Sequence, residues 1–181
     1  KGIVNDLLND LPKLEPGQEN NEYEKNPSEY LTVTGIRKSN DVLTDHQTRN
    51  IREVDRNIYR IAIQMWNNKH GRLRYTDLPK ELQFHNNKTS FLDRFKVVEG
   101  DMECAHTMLA HIAKDGHYYI HPDIEQARSL SVREAARIQS FPDSYYFEGS
   151  RTAKFVQIGN AVPPLMAKGI ANEIMRLLNG L

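Results

Sequence analysis

The sequence predicts an α+β chain of two unequal units, on three observations. Residues from about Gln47 to Asn67 repeat apolar side chains at helical spacing; Thr107 to Ala113 and His117 to His121 flank Lys114-Asp115-Gly116; and the stretch from Arg128 onward holds helices with locally written starts and stops. Asp-Gly between two alternating runs is a short-range hairpin signal, so the middle of the chain is expected to combine one long helix with a β-hairpin.

Taken in order, Val4, Leu7, Leu8 and Leu11 are spaced as one face of a short helix that Pro12 stops. Glu15 to Ser28 is rich in Glu, Asn, Gly and Pro, offers little to bury, and reads as a loop or linker. Tyr30-Leu31-Thr32-Val33 is too short for periodicity to separate strand from helix. The long helix places Ile51, Val54, Ile58, Ile61, Ala62 and Met65 on one face, with Thr44 and Gln47 as its capping box and Asn67 to Gly71 as its stop. Arg49, Arg52, Arg56 and Arg60 line the other face, but Glu53 and Asp55 are interleaved, which favours a solvated face over a phosphate-tracking stripe. Trp66 closes the small core at the helix end. A short helix is expected at Pro79 to Leu82, and Phe91 to Val98 alternates as a half-buried strand through Phe95 and Val97.

In the last quarter, Ser131 and Glu134 form a capping box and Pro142 forbids continuation of that helix. Pro163-Pro164 opens a final helix to Leu178 whose buried stripe is Met166, Ile170, Ile174, Leu177 and Leu178. Its start would point free N–H groups and a positive dipole end at whatever lies beside Asn160, which suits a carboxylate or phosphate.

Composition excludes several classes. Lys+Arg and Asp+Glu both number 24, so bulk charge calls for neither nucleic acid nor an acidic ligand. Residues 1–34 carry three basic and seven acidic groups, which leaves a mild basic excess in the remainder. The one cysteine, Cys104, rules out an intrachain disulfide and fits a reducing, cytoplasmic setting, and no run is apolar enough to span a bilayer. Cys104, His106, His111, His117, His121 and Asp123 lie close together, but their spacing fits no zinc pattern, so no metal is expected. Nothing local marks Cys104 as an activated nucleophile, and the Gly-rich loops of nucleotide sites are missing.

Two stretches carry a resemblance. Arg-Glu-Ala-Ala-Arg-Ile-Gln-Ser-Phe-Pro-Asp at 133–143 and Gln-Ile-Gly-Asn-Ala-Val-Pro-Pro at 157–164 resemble the ninth and tenth motifs of the bacterial DNA (cytosine-5) methyltransferases, in order and spacing. The segment from about 105 to 123 is similar to the end of that family's target-recognition domain. The resemblance implies residues 1–34 as the tail of a catalytic domain and linker, 35–125 as the recognition domain, and 126–181 as a helical segment completing an α/β methyltransferase domain. It further implies an enzyme that flips cytosine from duplex DNA and transfers a methyl group from S-adenosylmethionine to C5.

The family's cofactor loop and Pro-Cys nucleophile are absent from these residues, and Cys104 follows Glu103 rather than proline. No catalytic residue is therefore assigned, and the chain, which begins at Lys1, is expected to be a fragment or subunit inactive without an N-terminal catalytic portion. By resemblance, Asn160, Ala161 and Val162 meet the cofactor, while Thr107, Met108, Lys114, Asp115 and Gly116 face DNA. Arg133 is assigned to DNA contact or to bracing the recognition domain through ion pairs. The alternatives are a catalytically dead DNA-binding or regulatory module and a scaffold that keeps only the fold.

Overall fold

The computed structural model describes residues 2–180. Its helices are α1 (Glu29–Thr34), α2 (Glu53–Lys69), α3 (Val132–Ile138), α4 (Arg151–Asn160) and α5 (Pro164–Leu178), with 3-10 turns at Val4–Leu7, Tyr75–Asp77, Lys80–Leu82 and Ala110–Ala113. Two buried clusters organise them. The first joins Val4, Leu7, Leu31, Met108, Leu130, Ala135, Phe155 and Ile158, so it draws on the start, middle and end of the chain. The second packs α2 through Ile58, Tyr59, Ala62 and Ile63 against Leu73, Tyr75, Phe95, Val97 and Ile120.

The α+β expectation is overturned. Among the described residues there is no strand ladder, only isolated bridges of Val97 with Ile120, Ile120 with Ser129, and Glu19 with Gln47. The expected hairpin does not form because its first arm coils into the Ala110–Ala113 turn, closed by the Lys114 N–H on His111 O at 2.9 Å. Its second arm pairs with other segments. The Ile120 N–H donates to Lys96 O at 3.0 Å and Ile120 O accepts from the Val98 N–H at 2.8 Å, while His121 N–H reaches Arg128 O at 2.8 Å. Asp-Gly thus marks a turn without a hairpin, and Phe91 to Val98 keeps its expected alternation, Phe95 and Val97 buried, without becoming a strand.

Local signals decide the helices where no tertiary contact competes. Residues 30–33 resolve as part of α1, with Ser28 Oγ accepting from the Leu31 N–H and Gly35 stopping it at φ 74°. α2 starts at Glu53, several residues after the expected cap, because Thr44 to Thr48 are held elsewhere. Gln47 O accepts from the Val132 N–H, Asp45 O from the Arg133 N–H, and the Thr48 N–H donates to Gln18 O. The buried face of α2 is Asp55, Ile58, Tyr59, Ala62, Ile63 and Trp66, rotated from the predicted stripe but sharing Ile58 and Ala62. The arginines of the predicted stripe are engaged in structure: Arg52 with Asp55, Arg56 with Glu15, Arg60 with Glu53, and Arg49, which precedes the helix, on Ile112 O.

α3 is the polar centre of the molecule. The Ser131–Glu134 capping box is present in both directions, at 3.1 and 2.7 Å. Arg128, Arg133 and Arg137 are each fully buried. Arg137 spends all its donors: two on Asp143 at 2.9 and 2.6 Å, two on Asp10 at 2.6 and 3.1 Å, and one on Leu7 O at 2.7 Å. Arg128 is bidentate to Glu134 at 2.7 Å twice, and its Nε reaches Leu14 O at 3.1 Å. The amino-terminal segment is fastened by these guanidinium groups as well as by the buried Val4, Leu7, Leu8, Leu11 and Leu14.

By contrast, the predicted stripe of α5 is not buried. Met166, Ile170, Ile174, Leu177 and Leu178 are exposed by about half or more of their surface. Removing one partner from a buried pair strands the other. Arg137→Met should therefore destabilise the chain by about 3–5 kcal/mol, read as a lowered denaturant midpoint, whereas Arg60→Ala on the surface should stay within about 0.5 kcal/mol. Equal midpoints for Arg137→Met and wild type would contradict the assignment.

Candidate nucleic-acid and cofactor interface

The residues singled out at 107–116 and 160–162 lie far apart in sequence, and α4 brings them together. Ser150 Oγ caps α4 by accepting from the Ala153 N–H, and Phe155 and Ile158 anchor it in the first cluster. At its last turn Gly159 lies so close to Leu109 and Ala110 that a Cβ would sit 2.6 Å from Ala110 Cα. Glycine is required there by proximity, and the contact sets the Asn160-Ala161-Val162 turn beside the Thr107–Leu109 segment. α4 was missed in the sequence because only two of its residues are buried; the Ser150 cap, two residues before Thr152, was its one local signal.

Thr107 is exposed and Met108 is buried in the first cluster, so the pair divides into an outward hydroxyl and an inward anchor. Tyr119 holds the segment, its Oη accepting from the Leu109 N–H at 2.9 Å and donating to Thr107 O at 3.4 Å. Lys114 and Asp115 are exposed, and Asp115 Oδ1 accepts from the His117 N–H at 3.1 Å. Gly116 departs from expectation. It is buried, and a Cβ there would fall 2.2 Å from Ser129 Cβ, so it seats the turn rather than forming a mobile tip.

Arg133 is fully buried and hydrogen-bonded within the fold. Its guanidinium donates to Thr44 O at 2.9 Å, Thr44 Oγ1 at 2.7 Å and Tyr145 O at 3.0 Å, which leaves nothing facing solvent for a phosphate. Burial lowers its pKa, an effect partly offset by Asp143 and Asp45.

Asn160 is exposed, and its carboxamide makes no hydrogen bond among the described residues. Ala161 is half-buried and Val162 is largely exposed. The start of α5 offers fewer donors than the sequence suggested, since Pro164 has no N–H and the Leu165 N–H is taken by Ser140 Oγ at 3.0 Å. The turn thus presents an unengaged amide beside an exposed apolar side chain.

His106 and His117 of this region are hydrogen-bonded within the fold. His106 Nε2 donates to Tyr118 O at 2.7 Å, and His117 Nδ1 meets Tyr59 Oη at 2.8 Å. His46 places Nε2 2.8 Å from Pro12 O, which only accepts, so that nitrogen carries the proton and Nδ1 accepts from Ser131 Oγ at 2.9 Å. His121 lies 3.5 Å from Glu134 and is buried, and burial lowers its pKa to about 4 against the attraction of Glu134. Burial would raise the Glu134 carboxyl, but Arg128 and His121 together outweigh it and hold the group well below the usual carboxylate range.

With that geometry in place, the comparisons with known proteins assign the family. Residues 2–176 match the family model described as C-5 cytosine-specific DNA methylase, and the chain belongs to that family. It is 48% identical over 186 residues to the type II methyltransferase M.Bpa9945I of Bacillus paralicheniformis, covering 97% of this chain and 40% of that protein. It is 32% identical over 192 residues to DNA (cytosine-5)-methyltransferase 4 of Arabidopsis thaliana, covering 97% of this chain and 12% of that one. It is 43% identical over 100 residues to the type II methyltransferase M.AgeI of Thalassovita gelatinovora, covering 55% and 22% respectively. The chain thus spans less than half the length of each of these relatives.

A pH test follows from His121. Its unfolded pKa of about 6.5 exceeds its folded value of about 4, so the unfolded chain takes up the proton first. Stability is full above pH 6.5 and falls as pH drops toward 4, by on the order of 2–3 kcal/mol from this group. Denaturation midpoints measured across that window should decline, and His121→Asn should flatten the decline. An unchanged slope in the variant would contradict the assignment.

Proposed function

We propose that this chain is the target-recognition and closing portion of a cytosine-5 DNA methyltransferase, acting with an N-terminal catalytic portion that supplies the nucleophile and most of the cofactor site. The observation that carries this reading is the pairing of two features around Gly159. On one side lies the outward Thr107 segment; on the other, the Asn160-Ala161-Val162 turn opens directly into α5, which packs on the first cluster through Leu165 and exposes its stripe from Met166 to Leu178. A monomeric soluble surface rarely leaves such a stripe uncovered. In the proposed enzyme α5 packs on the catalytic portion and carries the turn to the cofactor.

S-adenosylmethionine supplies the methyl group when bound. Within this chain, Asn160 and Val162 line the methionine end of that cofactor, with Ala161 as the spacer between them. Thr107 meets duplex DNA beside the extruded base, Met108 holds it by its anchor in the core, and Lys114 and Asp115 extend the DNA face along the turn seated by Gly116. Arg133 and Arg137 act at a distance by fixing α3, on which α4 and the 44–48 segment rest. The catalytically dead DNA-binding module gains no specific support, because α5 would then expose its apolar face without purpose.

The test compares the complete enzyme with the 181-residue chain in a methyl-transfer assay on duplex DNA. The chain alone should be inactive. Thr107→Ala in the complete enzyme should lower methylation efficiency or DNA affinity by about tenfold, corresponding to about 1.4 kcal/mol. Methyl transfer by the isolated chain, or an unchanged enzyme with both Thr107→Ala and Lys114→Ala, would sink the reading.

A further inference from the structure

Residues 85–92 form a protrusion that none of the assigned roles uses. From Asn86 to Phe91 every residue is exposed, yet the loop is ordered by its own polar contacts. Both of its ends are fastened to one fully buried residue, Tyr75. The Tyr75 Oη accepts from the His85 N–H at 2.6 Å, and the Tyr75 N–H donates to Leu92 O at 2.6 Å. Arg94 then clamps the loop from inside. Its Nε donates to Phe91 O at 2.9 Å and its Nη2 to Asn87 O and Ser90 O at 2.8 and 3.1 Å, while its guanidinium lies 4.3 Å over the Tyr75 ring. Asn87 is consumed as well, its Oδ1 accepting from the Thr89 and Ser90 N–H groups.

What remains free is specific. Asn86 and Lys88 make no hydrogen bond or ion pair among the described residues, and the Phe91 ring is 70% exposed. Phe91 also sits at φ 54°, a left-handed conformation unusual for an aromatic residue. Such a conformation costs free energy and persists where the surroundings impose it, as Arg94 does here. Burial does not explain it, since the ring is in solvent.

The loop adjoins the proposed DNA face. The His85 and Phe95 rings are 6.4 Å apart in a tilted contact and the Phe95 and His117 rings 4.8 Å apart edge-on, so a chain of ring contacts links its base to His117, which follows the Lys114–Gly116 turn. The exposed end therefore presents an unengaged carboxamide, an unpaired ammonium group and an apolar ring from a rigid stem. A carboxamide can pair bidentately with a base edge in the major groove, and an ammonium group neutralises a phosphate.

We propose that the 85–92 loop is a preformed base-reading element of this protein. In it, Asn86 reads a base edge of the target duplex, Lys88 contacts a neighbouring phosphate, and Phe91 is held out to pack in the groove. This rests on the functional reading above and deepens it by naming residues that set specificity.

The experiment uses the complete methyltransferase and a panel of duplexes bearing each single base-pair change in its methylated site. Asn86→Ala should relax discrimination at one position by about 10- to 100-fold and leave the others unchanged. Lys88→Ala should weaken binding to all sequences alike and reduce the slope of log affinity against log salt by about 1. Phe91→Gly should raise the thermal midpoint, because glycine adopts positive φ freely, while weakening DNA binding. Unchanged discrimination in Asn86→Ala together with an unchanged salt slope in Lys88→Ala overturns the inference. If Thr107→Ala still impairs methylation in that case, the loop assignment alone fails; if Thr107→Ala is silent too, the wider functional reading falls with it.

Discussion

The structure depends on one constraint, the complete satisfaction of the guanidinium groups carried on and just before α3. Arg137 sits between Asp10 and Asp143 with every donor used, and Arg128 is matched bidentately by Glu134. Burying charge is expensive, and pairs of this kind yield little net stability over an apolar core of the same volume. Their effect is on uniqueness. Arg137 fits only if Leu7 and Asp10 approach from the chain start while Asp143 follows the helix end, so one side chain sets the relation of segments more than 100 residues apart. The same helix aligns residues 44–48 through Arg133, and those residues delay the start of α2.

That constraint propagates to α4 and the start of α5. Gln139 on α3 donates from Nε2 to Ile158 O of α4, and Ser140 Oγ takes the Leu165 N–H of α5. α4 in turn presses Gly159 onto Ala110 and thereby sets the Thr107 segment. The Thr107 segment and the Asn160-Ala161-Val162 turn are thus held in one register by α4, itself tied to the end of α3. The division of labour is between a rigid polar centre and two outward faces.

Features written in short local signals were legible from sequence. The Ser131–Glu134 capping box, the stop before Pro142, the Asn67 to Gly71 stop of α2, and the start of α5 at Pro163-Pro164 all formed where expected. Features decided by distant partners were not. The Thr107 to His121 hairpin failed because its second arm found Lys96 and Arg128, and α2 lost its first turn because Gln47 and Thr44 bond to α3. The stripe of α5 is apolar as its spacing predicts, but none of its five residues is buried. In the site, Thr107, Met108 and the Asn160 to Val162 turn were named from motif resemblance, but their adjacency through Gly159 was invisible, since close backbone approach leaves only a glycine in the sequence. The tether of the 85–92 loop to Tyr75 was equally hidden.

Together these relations make a sharp contrast inside one chain: the guanidinium groups of α3 are buried and hydrogen-bonded, and the apolar stripe of α5 is exposed. Hydrogen exchange of backbone amides tests that contrast most directly, measured on the 181-residue chain alone and in the complete enzyme. α3 should be strongly protected in both, while α5 should exchange rapidly in the chain alone and become protected in the complete enzyme. Equal protection of α5 in the two samples, or an unprotected α3 in the isolated chain, would contradict the account.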